Sequence, residues 1–182
     1  MQARMNRRRL ALVFDALEAR LLRDILSQII QNYQLKPEQL DAKSALAWYS
    51  TSGCERAKMS AEETREWLQN LHQYKSQNVA QLLGWCHRLA PGKAAGQLRL
   101  SMTVEQAGIF LTALNDHRLF LAARHDIGQE EMDASPAVFL TKLPLAQRVA
   151  LSEIHFLAWI IQKILEFLPG HPGGWMEEMG GG

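Results

Sequence analysis

The sequence predicts a mostly α, single-domain helical bundle of about four long helices, with two short apolar runs able to pair as a two-stranded β ribbon. Three observations carry this. Apolar residues recur at helical spacing from Leu17 to Tyr33. Asp15 with Glu18, and Thr103 with Gln106, each have the spacing of a reciprocal helix cap. The segment 145–168 is apolar around much of its circumference, as a helix buried on more than one side must be.

Taken in order, "LALVF" (10–14) reads as the first short strand. Asp15 then caps a helix whose apolar row is Leu17, Leu21, Leu22, Ile25, Leu26, Ile29, Ile30 and Tyr33. Pro37 suits the first turn of a short helix reaching Trp48, and "STSG" (50–53) is a loop. Residues 60–89 read as helix with an acidic first turn, broken near Ser76 or Gly84. "APGKAAG" (90–96) is a turn, and "QLRL" (97–100) is the second short strand, placed to pair with 10–14. Thr103 opens a helix running from about Val104 to His125, which Gly128 terminates. Residues 128–143 are loop-like, and the last helix fills 145–168 before Pro169 and Gly170 stop it. The domain therefore spans 1–169, and 170–182 is a flexible Gly-rich tail in which Trp175 is either a docking anchor or a partner contact.

Composition narrows the function. The 182 residues suffice for one domain with a sizeable core. At 47% hydrophobic and 21% charged, the chain has the balance of a folded rather than a disordered protein. A formal net charge of +1 supplies no global attraction to nucleic acid or to an acidic surface. The apolar run after Arg7–Arg9 is too short for a secretory signal, and no stretch has the length of a membrane span. The expected setting is the cytoplasm. Cys54 and Cys86 are too few for a disulfide scaffold or a cysteine-based zinc site.

Chemistry-bearing patterns are sparse. "HD" at His125 and Asp126, joined by His72 or His87 and by Asp133, could mimic the metal set of an HD-like phosphohydrolase. The same doublet at a helix end has a plainer reading, since His suits the C-terminal dipole and Asp the turn beyond it. Zinc-protease, Walker, dinucleotide and nucleophile-elbow motifs are all missing. The expectation is no catalytic residue, no metal and no cofactor. Arg7, Arg8 and Arg9 form a local basic patch that could meet phosphate or an acidic partner. No base-reading motif or aromatic platform accompanies it, which argues against a nucleic-acid-associated subunit.

The densest polar run is "LNDHRL" (114–119). On a helical wheel Val104, Ala107, Leu111, Leu114, Leu121 and Ala122 form one stripe, with Arg118 near its middle and Asn115 at its edge. Asp116 points away, and His117 and Arg124 share a lateral face. The first helix has Glu18 near the centre of its own stripe. A buried charge needs a partner, so Glu18 and Arg118 are expected to pair, with Asn115 and Gln162 completing a structural polar cluster around them and Asp116 beside it.

The segments "LEARLLRDIL" (17–26), "LRLSMTVEQAGIFLTALNDHRLFLAARHDIG" (98–128) and "LAWIIQKILEFL" (157–168) resemble an uncharacterised bacterial family best known from actinobacteria. One branch is called the actinomycete oxidative-stress regulator. The family pattern is a Glu in the first helix, a Leu-Asn-Asp-x-Arg-Leu motif and a final Leu-rich helix with a Gln. Here these fall on Glu18, on Leu114, Asn115, Asp116, Arg118 and Leu119, and on Gln162. Residues 35–70 have no counterpart in the resemblance. It implies a non-enzymatic cytoplasmic regulatory or adaptor protein with a protein partner, in stress response or Clp-linked proteostasis. The regulator branch senses redox through a Cys-x-x-x-Cys pair, which Cys54 and Cys86 do not reproduce.

Overall fold

The computed structural model describes residues 1–6, 9–49, 58–90, 98–133 and 143–168. Strands β1 (Gln2–Asn6) and β2 (Arg9–Phe14) lead into helix α1 (Ala16–Gln34). A 3₁₀ turn, Pro37–Gln39, precedes α2 (Ala42–Tyr49). Helices α3 (Ala61–Gln77) and α4 (Val79–Arg88) follow, then β3 (Leu98–Thr103), α5 (Val104–Arg124), the short α6 (Gln129–Asp133) and α7 (Leu145–Leu165). The mostly α bundle predicted from the sequence is what forms.

Both expected caps are made. The Asp15 carboxylate accepts from the backbone N–H of Leu17 and Glu18, each at 2.9 Å, and Glu18 returns a carboxylate oxygen to the Asp15 N–H at 2.9 Å. Thr103 and Gln106 repeat the arrangement at the start of α5. The long segment after Ser60 breaks at Asn78 rather than at Ser76 or Gly84. There the Asn78 side chain donates back to the Tyr74 carbonyl at 3.1 Å, a local bond that competes with the helical ladder.

The expected ribbon is a three-stranded antiparallel sheet, ordered β1-β2-β3. β2 pairs with β3 as anticipated, Leu12 facing Leu100. The added strand, β1, comes from residues ahead of the Arg7–Arg9 basic patch, where no element was expected. Its signal is a period-two alternation: Ala3 and Met5 pack on the core, alternating with the exposed Gln2 and Arg4.

One core joins the sheet to α1, α2, α4, α5 and the C-terminal half of α7. A second cluster, Leu121, Ala122, Ile127, Ala150, Leu151 and Ile154, joins the end of α5 to the start of α7. Helix α5 is thus buried on two sides. Two sequence expectations shift accordingly. The buried row of α5 is Ala107, Phe110, Ala113, Leu114, His117, Phe120, Leu121 and Ala122, so it centres near His117 and not on Arg118. The buried row of α1 starts at Ala19 and Leu22, leaving Leu17 and Leu21 outside. The wheel misplaced both centres because apolar residues on a second face pulled the mean direction round. The loop expected over 128–143 contains α6, and α7 gives way to a tighter turn over 166–168.

Candidate functional site

The interior holds an ionic and aromatic centre that the wheel did not foresee. Lys75 of α3 and Asp116 of α5 form an ion pair, their side chains 5% and 17% exposed. Tyr33, at the end of α1, donates its hydroxyl to the same Asp116 oxygen at 2.8 Å. The Lys75 ammonium also lies 5.1 Å from the centre of the Tyr33 ring and 5.2 Å from that of Trp48. Those two rings meet edge to face at 5.4 Å. An ammonium in so dry a place is held by its carboxylate and by the negative faces of two π systems. Burial foremost, then the Asp116 charge, raises the Tyr33 pKa far above the ordinary tyrosine range.

Beside this centre His117, fully buried, engages the Glu153 carboxylate of α7 at 2.8 Å through Nε2 and stacks on Phe120. Its Nδ1 has no hydrogen-bond partner among the described residues. Tyr49 donates to the Leu35 carbonyl at 3.2 Å and lies 3.3 Å from His72 Nδ1. Burial, aided by Glu38, pushes its pKa up to about 12. Apart from His117 Nδ1, these groups bond to other parts of the fold.

The outward chemistry lies elsewhere. An open groove of about 430 Å³ runs between α1 and the first half of α7, lined by Leu21, Leu145, Arg148, Val149, Ser152 and Glu153. Leu145 is 69% and Val149 57% exposed. On α1, Leu17, one turn before the groove-lining Leu21, is 76% exposed. These are large aliphatic side chains in water, close together.

The family model described as "Domain of unknown function (DUF2017)" matches residues 1–168. The chain belongs to this family. No curated protein and no solved structure matches it.

In this DUF2017 chain the anticipated polar cluster is dispersed. Glu18 and Arg118 are not paired. The Glu18 carboxylate is taken by the amino group of Met1 and by the Asp15 cap, and the Arg118 guanidinium donates to Asn115, one turn back on α5, at 3.4 Å. Gln162 is exposed on α7 and bonds to none of them. Asp116, expected to point away, is the acid that turns inward, and His117, expected on a lateral face, is in the core. Lys75 escaped notice in the sequence because it sits in the polar run "LHQYKSQ", whose periodicity does not mark a core position.

Arg9 is exposed, but its guanidinium is spent across the sheet on the Ser101 hydroxyl at 3.0 Å and carbonyl at 3.1 Å. Arg7, Arg8, Cys54 and Trp175 lie outside the described residues. Cys86 is a free thiol, half-buried, 3.5 Å from the Ser27 hydroxyl. His125 and Asp126 occupy the end of α5, where Asp126 takes a positive φ of 52° and pairs with Lys43. Among the described residues no three His, Cys, Asp or Glu side chains gather as a metal would require. Also among them, no helix is long and apolar enough to cross a membrane.

Proposed function

We propose that this DUF2017 member is a non-enzymatic cytoplasmic regulatory or adaptor protein that works by binding another protein. The observation that carries the reading is the exposed aliphatic set Leu21, Leu145 and Val149 that lines the α1–α7 groove, with exposed Leu17 one turn before Leu21 on α1. Apolar side chains concentrated on one face mark contact surfaces more often than they mark anything else. The division of labour supports it: the Lys75–Asp116–Tyr33 and His117–Glu153 groups of the interior are bonded to one another, and the surface offers shape and hydrophobicity. A role in stress response or Clp-linked proteostasis follows from the family resemblance alone.

The test uses the full chain as bait in a bacterial lysate with crosslinking and mass spectrometry, beside a Leu17→Glu variant. The expected result is a specific partner whose crosslinks map to α1 and α7 and whose capture falls at least tenfold with the variant. Capture that is indifferent to Leu17→Glu overturns the face. Stoichiometric Mn, Fe or Zn in the purified protein, lost with His125→Ala and Asp126→Ala, overturns the non-enzymatic reading in favour of a phosphohydrolase.

A further inference from the structure

Helix α7 carries a second pattern, on the side opposite its core residues Ala150, Leu151, Ile154, Leu157, Ile160 and Ile164. Leu145, Val149, Ser152, Phe156, Trp159 and Lys163 follow one another at spacings of four and three. That is the spacing of a coiled-coil seam over three heptads, apolar at four of its six positions. Leu145, Val149, Ser152 and Trp159 are exposed, and Phe156, half-buried, rests against Trp159 at 6.1 Å. Such a row suits another helix. Among the described residues Phe156 also packs on the core and Leu21 of α1 lines the groove beside Leu145 and Val149, while Ser152 and Trp159 stay exposed.

We infer that the seam pairs with the same seam of a second copy, the two α7 helices lying parallel about a two-fold axis. The inference rests on reading the α1–α7 face as the binding surface, and it names the occupant. Three features select a second copy in this orientation. First, Val149 falls at the a position and Leu145 at d, the combination that favours two parallel strands.

Second, the flanking charges match. Arg148 precedes the a position and Glu153 follows the next d position, so they stand on opposite flanks of the row, five residues apart. In a parallel two-fold pair such positions meet across the interface, bringing Arg148 of each copy to Glu153 of the other. In an antiparallel pair each flank meets the same flank, and the match is lost. His117 already holds Glu153 Oε1, so Oε2 is the atom that meets Arg148 of the other copy in this pairing. A guanidinium has donors enough to make this bond in addition to any within its own chain.

Third, the one like-charge contact the pairing creates is neutralised in advance. Lys163 sits at the last a position and binds its own Glu166 at 2.9 and 3.0 Å. Leu17 and Leu21 then flank the groove into which the second α7 would settle.

The experiment combines light scattering with disulfide trapping in the full chain, after Cys54→Ser and Cys86→Ser. The wild-type sequence should run at twice 20.6 kDa at 100 μM, and Val149→Glu should return it to the monomer with its helical content by circular dichroism unchanged. Leu145→Cys and Ser152→Cys, one heptad apart, should each form a disulfide with its own copy on oxidation. Only a parallel pair brings both positions to their equivalents. Arg148→Glu should raise the dimer dissociation constant at least tenfold. A monomer at 100 μM overturns the pairing. So does a dimer in which neither or only one cysteine closes, or one indifferent to Arg148→Glu. A monomer that still loses its captured partner with Leu17→Glu leaves the binding face standing and removes only the second copy.

Discussion

Lys75 and Asp116 are joined in the interior between α3 and α5, with the Tyr33 hydroxyl on the same carboxylate oxygen. This triple contact links three helices through the most polar groups of the core. Removing one member strands the others. Asp116→Leu is expected to cost about 3–5 kcal/mol, because the ammonium loses its counter-ion and remains desolvated. Lys75→Met combined with Asp116→Leu should recover most of that loss, since the buried charges vanish together. Denaturant unfolding of the two single variants and the double variant checks this. Additive losses would show that the pair contributes nothing as a pair.

Alkaline pH should weaken the fold through its tyrosines. Tyr49 has its pKa raised to about 12, against about 10 for an unfolded tyrosine, and Tyr33 is raised further. A raised pKa favours the neutral hydroxyl in the fold. The stability it confers is intact below pH 10 and is lost as pH rises through the folded value. A tenfold change in proton affinity is worth about 1.4 kcal/mol, so Tyr49 alone accounts for roughly 3 kcal/mol between pH 10 and 12. Urea midpoints across that window should fall in the wild type. They should fall less in Tyr33→Phe/Tyr49→Phe.

Glu18 and Arg118 should behave independently. Glu18 serves the Asp15 cap and the Met1 amino group, and Arg118 meets Asn115 on its own helix. A double-mutant cycle with Glu18→Gln and Arg118→Met is expected to be additive within about 0.5 kcal/mol. A larger coupling would restore the ion pair that sequence symmetry suggested.

The caps offer a local check. Thr103 ends β3 and opens α5 by accepting from the Gln106 N–H at 3.2 Å. Thr103→Ala should cost about 1 kcal/mol, and Thr103→Ser should be close to neutral. Thermal unfolding of both variants measures it. Equal losses would mean that the hydroxyl plays no part.

The helices were legible because their boundaries and buried rows are local properties. Asp15 with Glu18, Thr103 with Gln106, and the apolar run of α7 announce themselves within a few residues. The sheet was half legible: the apolar strand 10–14 stood out, whereas Gln2–Asn6 hid its Ala3 and Met5 among polar neighbours. The polar centre could not be read from any one helix. Lys75 and Asp116 are 41 positions apart, and nothing near either says that it is buried. A wheel averages a helix into one inward direction, and α5 has two, so His117 and Asp116 were sent outward and Arg118 inward. The seam of α7 was within reach of the sequence, but only after the core row had been fixed could the second row be recognised as left over.

The β2–β3 pairing constrains how this chain can fold. Phe14 faces Leu98 and Arg9 faces Thr103, so the central strand finds its inner partner only after all of α1 to α4 has been made. Closing so large a loop is costly in chain entropy before any strand contact repays it, and topologies of that kind assemble late. The N-terminal hairpin, by contrast, can form at once, since Asn6 faces Arg9. A nascent chain released before Leu98 would thus present β2 with one bonded edge and one open edge, the form in which strands recruit foreign strands. For this fold, the vulnerable moment in synthesis is set by the position of β3 in the chain.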